Sequence, residues 1–232
     1  MSTIYLVPSF LDEAAIQTIP TYIIDAIKDS QVIFAENERS ARRFLKSIWR
    51  EIVIDEYEWF TIHKAEEEQK NSFRLKIEEG KNISIISEAG CPGVADPGQK
   101  LVDVAHQLNA VVKPLVGPSS ILLALMASGM NGQQFEFVGY LPIDVTERIK
   151  AIKEMELNSQ KKHSTQIFIE TPYRNNQLVE TLMKSCKPGT RICIAAELTG
   201  TNEYVKTKTV ADWKKEKTDF HKKPVIFLLY AV

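Results

Sequence analysis

Apolar and polar positions alternate along the first half of the chain in a repeating rhythm. Compact apolar runs at Ile4–Val7, Val32–Ala35, Ile52–Ile54, Ile83–Ile86 and Val111–Leu115 predict strands. Stretches with apolar residues at helical spacing separate them and predict helices at Tyr22–Lys28, Glu38–Trp49, Lys64–Glu79 and Leu101–Leu108. Strand–helix alternation of this kind sets the strands side by side and parallel, with helices packed on both faces. Beyond Pro114–Pro118 the pattern restarts with an apolar helix at Ile121–Ala127. Strands then follow at Phe135–Tyr140, Gln166–Glu170, Arg191–Ala196, Glu203–Lys208 and Val225–Ala231. Little helix separates the last three, and short connections join antiparallel strands rather than parallel ones. The expectation is an α/β protein of two α/β domains, residues 1–115 with a parallel sheet and residues 116–232 with a mixed sheet. The join falls near Leu115–Gly117, with a ligand cleft expected between the halves.

One connection in the first half is unlike the others. SEAGCPGVADPG, Ser87–Gly98, follows the Ile83–Ile86 strand and carries three glycines and two prolines. Part of it reads as a plain turn. Asp96 before Pro97 suits a helix start, because the carboxylate can accept open N–H groups and proline is preset for the first helical position. The rest exceeds the roughly two to six residues that an α/β connection needs. Bare glycine backbone lets a ligand approach N–H and C=O groups, and open α/β sheets bind ligands beyond the carboxyl ends of their strands. No GxGxxG follows the first strand, and no glycine-rich loop leads to lysine with Ser or Thr. A dinucleotide dehydrogenase and a phosphate-cradling kinase are therefore disfavoured.

Composition narrows the choice further. With 44% hydrophobic and 25% charged residues among 232, the chain is an ordinary globular one. A net charge of -1 argues against coating nucleic acid by overall charge and leaves only a local basic surface for that role. Cys91, Cys186 and Cys193 are odd in number and form no CxxC pair, so neither a disulfide framework nor a cysteine zinc site is supported. His63, His106, His163 and His221 lack metal-ligand spacing, and no metal is expected. Met1–Phe10 has neither a basic leader nor a long apolar core, and no run reaches the roughly 18 apolar residues of a membrane span. A soluble cytoplasmic protein is expected, with no membrane partner.

Several strand-end segments together resemble one family. SEAGCPGVADPG (Ser87–Gly98), LVGPSSILLALMASG (Leu115–Gly129), FVGYLP (Phe137–Pro142), ETPYR (Glu170–Arg174) and AAELTGTNE (Ala195–Glu203) are similar to segments of the tetrapyrrole methylase superfamily. The likeness extends to its ribosomal RNA cytidine 2′-O-methyltransferases, which carry S-D-A-G-T-P, a short spacer and D-P-G. The resemblance implies S-adenosylmethionine as methyl donor, ribosomal RNA or the small ribosomal subunit as acceptor, and a homodimer. It implies that Ser87, Glu88, Ala89 and Gly90 line the donor while Val94 and Asp96 close the loop around it. Pro8 is what remains of the family's T-P-I-G-N-L. Ser119 and Ser120 present small residues to the donor, though both also suit a helix start. In the second domain the resemblance implies Glu170, Thr171, Ala196, Glu197, Leu198, Pro224 and Val225. Pro224 equally suits the start of an edge strand.

The departures lie on the acceptor side. VPSFLDE, Val7–Glu13, keeps only Pro8, and IHKAEEEQ, Ile62–Gln69, alters a histidine- and asparagine-rich segment. AENER keeps Glu36 and Arg39 of the family's A-E-D-T-R but has Asn37 in place of the acid. A tetrapyrrole or other small acceptor stays open, as does a donor-binding homologue without catalysis. Methyl transfer from a sulfonium is an in-line displacement that needs positioning rather than a protein nucleophile. Glu36 and Arg39 are the candidate catalytic groups, as base or as stabilisers of developing alkoxide, against the plainer alternative of a surface ion pair. Arg39, Arg42, Arg43, Lys46 and Arg50 recur at helical spacing, which makes either an RNA-facing stripe or a solvated helix face.

Overall fold

A computed structural model describes residues 1–62 and 66–232. The chain forms two compact units, Met1–Ser119 and Ser120–Val232. Residues 115–118 are tied into the first unit. Leu115 N donates to Leu6 O, Val116 N donates to the Tyr22 hydroxyl, and Gly117 lies against Pro8.

The first unit holds strands β1 (Thr3–Val7), β2 (Val32–Ala35), β3 (Glu58–Thr61), β4 (Ile83–Ile86) and β5 (Val111–Pro114), with helices α1 (Ile23–Asp29), α2 (Glu38–Ile48), α3 (Glu66–Glu78) and α4 (Gln99–Gln107). The sheet is parallel throughout, in the order β3-β2-β4-β1-β5. Strand alternation divides the core. Tyr5, Val7, Ile33 and Ile86 pack with Ile23, Ile27, Phe44 and Leu45 of α1 and α2 on one face. Ile4, Phe34, Ile83 and Ile85 pack with Phe73, Leu101 and Val104 of α3 and α4 on the other.

Ile52–Ile54 is not a strand. Ile52 is buried, but the chain then makes a 3₁₀ turn at Ile54–Glu56, and the third strand is Glu58–Thr61. Its Trp59 and Phe60 pair with Ile33 and Phe34, and the Phe34 and Phe60 rings stack at 4.6 Å. Aromatic cross-strand packing decided which apolar segment joined the sheet. Lys64, the predicted start of the third helix, and His63 lie outside the described residues.

A second correction concerns Asp96, which does not cap α4. That helix begins at Gln99 after Gly98, whose φ of 130 keeps it non-helical. The cap comes from α3 instead, where Glu66 Oε1 accepts from Gly98 N at 2.9 Å and Lys100 N at 2.8 Å. Glu66→Ala is therefore expected to cost about 1 kcal/mol, as loss of a helix cap does. Urea unfolding should show that loss, and no comparable loss for Asp96→Ala.

The second unit comprises α5 (Ser120–Ser128), β6 (Phe135–Tyr140), α6 (Val145–Lys162), β7 (Thr165–Ile169), α7 (Asn175–Ser185), β8 (Arg191–Ala196), β9 (Tyr204–Thr209), α8 (Val210–Trp213) and β10 (Val225–Tyr230). Its sheet runs β6-β7-β10-β8-β9 and is mixed, since β6 pairs parallel with β7 while the other neighbours are antiparallel. The sequence pattern did not reveal α6, although Asp144 and Glu147 carry its start signal, the Asp144 carboxylate accepting from Glu147 N at 3.0 Å. Nor did it reveal α7. β10 occupies the middle of the sheet, so Pro224 does not open an edge strand; its carbonyl accepts from Glu197 N. Phe168 and Phe227 stack at 5.7 Å in the core.

Candidate functional site

Strand order explains why the loop after β4 is so heavily punctuated. From β1 the chain moves to β2 and β3 in one direction across the sheet, with α1 and α2 on one face. From β3 it returns to β4 and then β5 with α3 and α4 on the opposite face. Right-handed crossovers require this division. β4 thus stands between β2 and β1, and its connection leaves toward the other face from theirs. This is the topological switch point, where an open α/β sheet leaves a crevice beyond its strand ends.

Ser87, Glu88, Ala89, Gly90, Val94 and Asp96 all lie on that loop, and Pro8 and Glu36 lie at the ends of the flanking strands. Ser9 and Gly90 form a two-way backbone bridge, Ser9 N donating to Gly90 O at 2.9 Å and Gly90 N to Ser9 O at 3.1 Å. The Ser9 hydroxyl donates to Ser87 O, and the Ser87 hydroxyl to Gly90 O. Gly90, at φ 74, therefore spends its backbone groups on holding the loop against β1; its glycine serves the turn. Glu36 Oε2 accepts from Glu88 N at 2.8 Å, fastening the loop to β2 as well. Val94 and Ala89 are exposed.

Gly117 packs against Pro8. A β-carbon there would lie 2.2 Å from Pro8 Cγ, so the loop after β5 closes on Pro8 only because residue 117 has no side chain. Ser119 follows in this loop, and Ser120 opens α5 in the second unit.

The electrostatics of the loop are unusual. Burial pushes the Asp96 carboxyl up to about 7, and the neighbouring carboxylates of Glu36 and Glu88 add to the rise. Burial also raises the Cys91 thiol, with Asp96 contributing, which makes it a poor nucleophile. Arg39 is exposed in the first turn of α2, where Asn37 Oδ1 caps the helix by accepting from Arg39 N and Ser40 N. The stripe on α2 is partly neutralised. Arg42 pairs with Glu38 and Asp55, Arg43 pairs with Glu13, and the Lys46 ammonium donates to the carbonyls of Arg50 and Ile52. Among the described residues Arg39 and Arg50 make no ion pair.

In the second unit, Glu170, Thr171, Ala196, Glu197, Leu198, Pro224 and Val225 gather at one end of the sheet. Antiparallel pairing sets the start of β10 beside the ends of β7 and β8, with Val225 opposite Ala196 and Ile226 opposite Ile169. The Glu170 side chain is fully buried, its Oε1 accepting from Thr171 N and from Arg174 Nε and Nη2. Glu170 Oε2 and Thr199 Oγ1 are buried without a partner among the described residues. Glu197, Thr199 and Lys222 hold φ values of 51, 68 and 62, a left-handed conformation costly for residues with a β-carbon and common at functional sites. Arg148 on α6, which sequence reasoning missed, is 1% exposed, and its Nε and Nη2 have no partner among the described residues.

The family described as Tetrapyrrole (Corrin/Porphyrin) Methylases matches residues 21–213, most of the chain. The chain belongs to the tetrapyrrole methylase family. It is accordingly a methyltransferase, of a family that uses S-adenosylmethionine. Among its relatives, Ribosomal RNA small subunit methyltransferase I of Bacillus subtilis (strain 168) is 33% identical over 93% of this chain and 71% of its own length. The protein of that name from Escherichia coli O157:H7 is 28% identical over 97% of this chain and 77% of its own. The one from Vibrio cholerae serotype O1 is 31% identical over 74% of this chain and 59% of its own. The crystal structure of the methyltransferase CobJ matches this methylase with a TM-score of 0.67 at 14% identity, covering 100% of this chain and 95% of that one. Both sheets thus follow the family's fold. Among the described residues no helix is long and apolar enough to cross a membrane.

Proposed function

We propose that this family member transfers a methyl group from S-adenosylmethionine to small-subunit ribosomal RNA, at a ribose 2′-hydroxyl of cytidine, in the cytoplasm and as a homodimer. The observation that supports the donor's place is the position of the β4 loop at the switch point of the sheet, beyond the strand ends. Relatives named for ribosomal RNA, and the likeness of SEAGCPGVADPG to the ribosomal RNA branch, support this acceptor over a tetrapyrrole.

The donor supplies an electrophilic methyl group on a sulfonium, and the protein's task is placement. Glu88 and Ala89, exposed on the loop, form the surface it meets, while buried Ser87 and Gly90 hold that loop in place through their hydrogen bonds to one another and to Ser9. Glu36 has one oxygen committed to Glu88 N, so its carboxylate is fixed at the strand end with Oε1 left to accept a hydroxyl proton. Arg39, exposed and without an ion pair among the described residues, supplies positive charge for a phosphate or a developing alkoxide.

The test is methyl transfer from radiolabelled donor to purified small ribosomal subunits, total RNA and tetrapyrrole precursors, run beside calorimetry of donor binding. Label in ribosomal RNA at a ribose supports the proposal; label confined to a tetrapyrrole overturns the acceptor. Donor binding without transfer to any of them returns the protein to a donor-binding homologue. The basic stripe carries a separate expectation. Arg39→Glu and Arg50→Glu together should lower the salt slope of RNA binding by about two, one per lost phosphate contact. Unchanged slopes would show this basic stripe to be merely solvated.

A further inference from the structure

A recess beside α2 lies within the first unit, next to the donor loop. It encloses about 430 Å³ and is lined by Phe10 and Leu11 from the loop after β1, Arg43 and Phe44 from α2, and Glu88 from the β4 loop. Glu13 completes its rim. We propose that this recess receives one unstacked nucleobase of the acceptor, held beside the methyl donor; the inference rests on the RNA acceptor proposed above.

Three features point to a base. The volume falls within the roughly 300–1,000 Å³ of small-molecule pockets. Its floor is aromatic: half-buried Phe10 presents its ring and is braced edge to face at 5.3 Å by Phe44, which is buried in the core. Proteins that read single-stranded RNA stack splayed bases on such rings and on arginine planes. Its rim carries matched polar edges. Arg43 Nη2 meets Glu13 Oε1 at 3.1 Å with side chains 63% and 72% exposed, so the pair contributes little to stability and leaves most guanidinium N–H groups open. Glu88 adds a second exposed carboxylate, its backbone fixed by Glu36.

A charged rim of this kind also selects among bases. Carboxylates only accept, so a base with an exocyclic amine donates to Glu13 or Glu88 while its ring or carbonyl acceptors take N–H groups from Arg43. Uracil has no exocyclic amine and offers carboxylates only its N3–H, which is flanked by two carbonyls that face them unfavourably. A tetrapyrrole bearing carboxylate side chains meets like charge at the same rim.

The experiment measures binding of cytidine, adenosine, guanosine, uridine and ribose 5-phosphate to the whole chain by calorimetry and ligand-observed NMR. The three amine-bearing nucleosides should bind at least about tenfold more tightly than uridine, a difference of about 1.4 kcal/mol, with ribose 5-phosphate not bound. Ser47 lines the recess from α2, and Ser47→Trp should fill it. That variant should lose at least about tenfold in nucleoside affinity while its donor affinity stays unchanged, and Phe10→Ala gives a second disruption that adds no bulk. The pocket is overturned if nucleosides do not bind, if ribose 5-phosphate binds equally well, or if folded Ser47→Trp binds nucleosides as the parent does. Binding sensitive to Ser47→Trp in a protein that transfers no methyl group to ribosomal RNA leaves the pocket standing and sinks only the acceptor. Transfer to ribosomal RNA with insensitive nucleoside binding does the reverse.

Discussion

Gly117→Ala should sharply lower both the stability of the first unit and its affinity for S-adenosylmethionine. The added β-carbon would sit 2.2 Å from Pro8 Cγ and 2.3 Å from Pro8 Cβ. A pyrrolidine ring cannot rotate away, so one of the two loops must move. Overpacking of this kind costs about 1–3 kcal/mol, and movement of either loop displaces the edge of the crevice where the donor is proposed to bind. Thermal unfolding should show the destabilisation, and calorimetry a loss of donor affinity of at least about tenfold. Gly132→Ala is the control, since a β-carbon there would meet nothing within 4 Å among the described residues. Pro8→Gly introduced beside Gly117→Ala should recover part of the lost stability, because it removes the atoms that collide. Wild-type stability in Gly117→Ala would refute the close packing of these two loops.

The second large effect is a pH-dependent gain from Asp96→Asn. Burial first, and the Glu36 and Glu88 carboxylates after it, raise Asp96 from 3.8 to about 7 in the folded protein. Between those values the folded state holds a proton that the unfolded state has released, so stability falls as pH rises through this window. The penalty is complete above pH 7 and absent below the unfolded value. Asn at this position cannot ionise. The variant should match the parent near pH 4 and exceed it at pH 8 by about 1 kcal/mol, a figure reduced from the full shift because the side chain is partly solvated. Urea unfolding at both pH values measures the difference. A gap that does not change with pH would show that Asp96 ionises freely, and Glu36→Gln should narrow the gap by removing one of the repelling charges.

Asp96 also marks where local reading fails. Asp-Pro is a sound start signal for a helix, yet α4 starts later and takes its cap from Glu66, far back in the chain on α3. No spacing rule connects those positions. Gly90 is similar: its need for a left-handed turn was visible in a glycine-rich segment, but its pairing with Ser9 was not. Ile52–Ile54 misled because a three-residue apolar run is equally a strand or a buried turn, and Trp59 and Phe60 gained more by packing on β2. Helix α6 went unseen despite its Asp144–Glu147 cap, since most of its surface is polar and the periodic signal is weak.

The sequence by itself determined the two α/β halves, most strand positions and the parallel character of the first sheet. Alternation and turn chemistry are local properties, written in neighbouring residues, and they survive without knowledge of the fold. Tertiary structure alone decided the strand order, and with it the switch point at β4. It also decided that Pro8 and Gly117 close on one another, that three carboxyl groups share one loop region, and that Phe10, Arg43 and Glu88 line a single recess. Each of these depends on which distant strands become neighbours, a choice made by burial of apolar faces across the whole unit.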